Sequence, residues 1–121
     1  MSIGTRRLLV GAHYGLRDWL VQRISALVLL AFVLVLAVAL LVSGPMHHEQ
    51  WRTLFAPVPV RLATLLAVLA LCYHAWIGVR DIWMDYVASA GLRLCLHVAT
   101  VLWLLYCLAW AVEILWGAGA P

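Results

Sequence analysis

The chain has 121 residues, 67% of them hydrophobic and 11% charged, with a formal charge of +3. A soluble domain is roughly 45–50% apolar and about 25% charged, so a small soluble fold is excluded and lipid is left as the solvent for this surface. Every basic residue is arginine, dispersed among apolar segments without forming a patch, which excludes a nucleic-acid interface.

The first 23 residues carry Arg6, Arg7, Arg17, Asp18, Trp19 and Arg23 and read as an amphipathic lead-in to a helix. An apolar run follows over residues 24–42, with Ser25 as its only clearly polar member. It is too long for a signal-peptide core of about 7–15 residues and suits a hydrocarbon layer of about 30 Å. Ser43-Gly44-Pro45 ends it. Residues 46–59 read as a short loop, with His47 and His48 as solvated side chains. A second apolar run, residues 62–79, contains Thr64, Tyr73 and His74 and no formal charge. A polar connection over about residues 80–93 leads to a third run, residues 94–112, containing His97 and Thr100; residues 117–121 form a short tail.

These runs are apolar on all sides, so helices and not a barrel are expected. The expected fold is all-α, a single membrane-anchor domain over residues 1–121, with transmembrane helices at about 20–43, 60–84 and 91–116. Arg6, Arg7, Arg17, Arg23, Arg80 and Arg93 fall on one side and Arg52 and Arg61 on the other. The positive-inside rule then puts the N-terminus in the cytoplasm, which suits a multi-pass protein of a bacterial inner membrane. Trp19, Trp51, Trp83 and Trp116 fall near the expected interfaces. Cys72, Cys95 and Cys107 have neither disulfide-framework nor metal-site spacing and read as small apolar packing residues.

Four sets of residues could carry chemistry. His74 lies about ten residues from the cytoplasmic end of its helix, roughly 15 Å deep. A dehydrated imidazole there needs a partner, and it is either an axial ligand for heme iron or an interhelical hydrogen bonder. Gly78, one turn on, either clears space for a flat macrocycle or allows close helix packing. His97 lies nearer the surface and reads as a structural residue, so a second axial ligand would come from a partner chain. Arg17 and Arg23 flank the first helix and suit either heme propionates or headgroup anchoring. Asp85 and Tyr86, at the interfacial end of the second helix, suit either a quinone site or a solvated interfacial pair.

The segment HAWIGVRDIWMDYV, residues 74–87, resembles the signature of the succinate dehydrogenase (complex II) hydrophobic membrane anchor, the small D-type cytochrome b subunit. His74, Gly78, Asp85, Tyr86 and Val87 carry the likeness, supported by Gly15, Asp18, Trp19, Arg23, Ser25 and Ala26. The resemblance implies an anchor of succinate:ubiquinone oxidoreductase, in the tricarboxylic acid cycle and respiratory chain, that does not itself oxidise succinate. It implies a heme b shared with a second, C-type anchor subunit, each supplying one axial histidine, here His74. Arg23, and Arg17 where relatives carry a histidine, would lie near the propionates. Tyr86 would hydrogen-bond ubiquinone, with Asp85 close by. Flavoprotein and iron–sulfur subunits would complete the complex. Arg80 and Asp81 depart from the family pattern, and no family role carries over to His97.

Two other functions fit the same residues: a fumarate reductase-type anchor, and a non-redox three-helix scaffold in which His74 only bonds a neighbouring helix. A transporter is disfavoured, because the spans hold no paired acidic and basic residues and no inverted repeat.

Overall fold

The computed structural model describes residues 12–117, with side chains described from Gly15 onward. Among these residues there are four helices and no strand: α1 (Ala12–Ser43), α2 (His48–Phe55), α3 (Val58–Tyr86) and α4 (Ala90–Gly117). Three of them, α1, α3 and α4, are long and apolar enough to cross a membrane. Among the described residues almost nothing is buried within the chain. Ala67, Ile77 and Leu115 are the buried hydrophobic residues, whereas Leu41, Val42, Leu94 and Trp103 are largely exposed. Backbone hydrogen bonds are satisfied inside each helix, so such a surface is stable in hydrocarbon and would aggregate in water.

The helix ends have local causes. Gly44 adopts φ +68°, the left-handed conformation that only glycine takes without strain, and its N–H returns to the Leu40 carbonyl at 3.0 Å. Pro45 follows, so α1 stops. In α3, Pro57 precedes the first residue and Pro59 falls in the first turn, where a missing N–H costs nothing. At its other end the Val87 N–H bonds the Trp83 carbonyl at 3.2 Å. The Ser89 hydroxyl accepts the Leu92 N–H at 3.4 Å as α4 begins.

Three expectations change. Residues 46–59 are not a plain loop: α2 forms there, opened by the Gln50 side chain accepting the His47 N–H at 2.8 Å. Its Trp51 and Phe55 rings stack 6.2 Å apart, and α2 packs against α3. The polar connection of residues 80–93 shrinks to residues 87–89, because α3 continues through Arg80, Asp81 and Asp85 to Tyr86. The lead-in to the first span is continuous with α1 from Ala12, while Arg6 and Arg7 lie outside the described residues.

The central helix is α3, with α1 on one flank and α4 on the other. The α3–α4 seam is antiparallel: Cys72 Sγ points to the Leu104 carbonyl at 3.9 Å, and Trp83 Nε1–H donates to Thr100 Oγ1 at 3.0 Å. Thr100 in turn donates to the Leu96 carbonyl at 2.7 Å. Arg61 lies over the Trp116 ring at 5.7 Å, linking the opposite ends of the same two helices.

Candidate functional site

The α1–α3 seam is polar over one half of its length. Asp18, Gln22 and Ser25 follow one another at spacings of four and three residues, which places them on one face of α1. Arg80, Gly78 and His74 face them from α3. At the outer end Arg80 Nη2 donates to Asp18 Oδ2 at 2.7 Å and to Asp81 Oδ1 at 3.2 Å. This overturns the expectation that the spans hold no acid–base pair, because packing of α1 on α3 brings Asp18 opposite Arg80.

One turn further in, the Gln22 amide lies against Gly78. A Cβ on Gly78 would come no closer than 4.0 Å to Gln22 Nε2. Close packing of α1 on α3 therefore does not itself require glycine at that position.

Next comes His74, half-buried and held from α1. Its Nδ1 lies 3.0 Å from Ser25 Oγ, and its Nε2 lies 3.5 Å from Gln22 Nε2. Ser25 is only 5% exposed and donates its own hydrogen to the Gln22 carbonyl at 3.1 Å. His74 stands six residues from Arg80, about 9 Å along the helix. It sits below a charged layer rather than in featureless hydrocarbon.

His97 belongs to the other seam. Its Nδ1 lies 2.6 Å from the Arg93 carbonyl, to which it donates, and its ring meets Trp76 edge-on at 5.7 Å. The α3 helix separates it from the α1-facing His74. The remaining sequence candidates are not gathered around His74. Arg17 and Arg23 are exposed, with the Arg23 guanidinium over the Trp19 ring at 5.5 Å. Asp85 is exposed and Tyr86 is 84% exposed at the last turn of α3, about 18 Å along the helix from His74. A cavity of about 700 Å³ lies at the other end between α2, α3 and α4, lined by Trp51, Phe55, Val68 and Ile114.

Sequence reasoning singled out neither Gln22 nor Ser25 as partners of His74. The readable signal was Ser25 itself, a lone hydroxyl in an otherwise apolar span. The donor set fits a heme axial position: an imidazole with Nδ1 engaged and Nε2 at a distance longer than an ordinary hydrogen bond. Among the described residues no group of three or more metal-ligating side chains converges, so His74 would contribute as a single ligand.

The chain is similar to known membrane subunits. The family described as the succinate dehydrogenase/fumarate reductase transmembrane subunit matches residues 2–108. A succinate dehydrogenase hydrophobic membrane anchor subunit of Coxiella burnetii is 39% identical over 102 residues, covering 84% of this chain and 89% of the relative. The family match takes in α1, α3 and α4 as far as residue 108, and the chain belongs to the succinate dehydrogenase/fumarate reductase transmembrane subunit family.

Proposed function

We propose that this chain anchors a succinate:ubiquinone oxidoreductase in the membrane, co-ligates a heme b through His74 and helps to form the ubiquinone reduction site through Tyr86 and Asp85. One observation carries the reading: an imidazole within a lipid-facing span, fixed through Nδ1 to a buried hydroxyl, with its other nitrogen weakly engaged. A bound heme b would supply one-electron redox capacity beside the quinone site. The chain's own part is to orient the imidazole and keep water from it, and at the far end of α3 to offer the exposed Tyr86 phenol to a quinone carbonyl with Asp85 as a nearby proton holder. Arg17 and Arg23, exposed on α1, are available to propionates. A half-site of this kind needs a second anchor subunit for the other axial ligand. The flavoprotein and iron–sulfur subunits implied by the family would deliver the electrons. The name of the bacterial relative favours succinate oxidation over the fumarate reductase direction.

The non-redox scaffold is favoured by one feature, since the Ser25–His74 bond already satisfies an interhelical role. The two readings part in a reduced-minus-oxidised visible spectrum of the membrane complex. Loss of the b-type signal in His74→Ala, with His97→Ala unaffected, is the expected result. A b-type signal unchanged in His74→Ala, or absent from the wild type, refutes heme ligation and leaves the scaffold.

A further inference from the structure

We infer that Ser25 is a positioning residue that sets the tautomer of His74, making Nε2 the nitrogen offered to heme iron; this rests on His74 being the ligand. The argument is a count of hydrogens. A serine hydroxyl has one hydrogen, and that of Ser25 is spent on the Gln22 carbonyl at 3.1 Å. Toward His74 Nδ1, at 3.0 Å, the oxygen therefore presents a lone pair. Two lone pairs in contact in an apolar span would be unfavourable, so Nδ1 carries the proton and donates it. Only 5% of Ser25 is exposed, so water does not compete for the bond.

Gln22 also lies against the other ring nitrogen, its amide 3.5 Å from Nε2. The contact is long for a hydrogen bond, so iron would displace a weak partner. The Gln22 backbone carbonyl that orients Ser25 is not affected by movement of its side chain. One residue thus serves the site through two separate groups.

Losing the partner of a ligating histidine typically weakens metal retention about 10- to 100-fold. The test uses the whole membrane complex carrying Ser25→Thr, Ser25→Val or Ser25→Ala, with His74→Ala as reference. Thr and Val have nearly the same shape, and only Thr keeps the hydroxyl. Flavin content measures assembly, heme b per flavin measures retention, and redox titration gives the heme midpoint potential.

S25T is expected to keep heme retention within about twofold of wild type. S25V should lose about 10- to 100-fold in retention. Heme remaining in S25V should titrate at a higher potential, because an imidazole without its Nδ1 acceptor is a poorer electron donor. If S25V does not assemble, S25A, which removes the hydroxyl without adding bulk, is read in its place. Wild-type retention and potential in the hydroxyl-free variant, with heme lost in His74→Ala, overturn the Ser25 inference alone. Heme retained in His74→Ala overturns the ligand reading beneath it.

Discussion

Arg80 is the hinge of the outer α1–α3 contact, and removing it should cost more than removing either of its acidic partners. Its Nη2 donates to Asp18 at 2.7 Å and to Asp81 at 3.2 Å, with side-chain exposures of 26%, 32% and 59% for the arginine and the two acids. Hydrogen bonds to charged groups contribute about 1.5–3 kcal/mol when sheltered, and exposed pairs about 0.2–1 kcal/mol. Partial exposure puts the Asp18 pair between these, at about 1–1.5 kcal/mol. The neighbouring Asp81, mostly in solvent, adds about 0.5 kcal/mol or less. Asp18→Ala leaves Arg80 with Asp81 and should cost about 1 kcal/mol, whereas Arg80→Ala also strands Asp18 and should cost about 2 kcal/mol. The assay is SDS-induced unfolding of the detergent-solubilised protein, followed by fluorescence of Trp19 on α1 and Trp83 on α3. A double-mutant cycle of Asp18 and Arg80 should return a coupling of about 1 kcal/mol, with Asp81→Ala nearly silent. Additive single costs, or equal costs at Asp18 and Asp81, would refute the assignment of the interhelical bond.

Two further outcomes follow from the site. Tyr86 is exposed and has no hydrogen-bond partner among the described residues, so Tyr86→Phe should leave stability unchanged and lower kcat/KM for ubiquinone about tenfold, the equivalent of one hydrogen bond of about 1.4 kcal/mol; unchanged quinone kinetics would remove the phenol from the site. Gly78→Ala should keep or slightly raise the stability of the α1–α3 pair, since alanine is the better helix former by about 1 kcal/mol. Gly78→Leu should lower heme b per flavin, and full heme in Gly78→Leu would show that the space beside Gly78 serves no macrocycle.

Composition and run length made the three apolar helices legible, because nothing but a bilayer accepts so much apolar surface. His74 was legible for a related reason: an imidazole in such a run has to be explained. The seam around it was harder to read. Asp18 and Gln22 precede the apolar run and look like part of a solvated lead-in. Only a continuous α1 packed on α3 reveals that they share a face with Ser25. The expected second helix, about residues 60–84, already took in Arg80 and Asp81, but the pairing of Arg80 with Asp18 was hidden because the two stand 62 positions apart in the chain. The α2 helix was obscured by its shortness and by Pro57 and Pro59 close behind. Tyr86, Asp85, Arg17 and Arg23 were legible as interfacial residues by their position at the span ends, and all four are exposed, with Arg23 over the Trp19 ring of its own helix.

The stepped contacts between α1 and α3 also fix a vertical register. Sliding α1 by one helical turn, about 5.4 Å, would break the Asp18–Arg80 and Ser25–His74 contacts together and drag a carboxylate toward hydrocarbon. The two helices therefore move as one strut. The depth of His74 is thereby gauged from the charged layer above it.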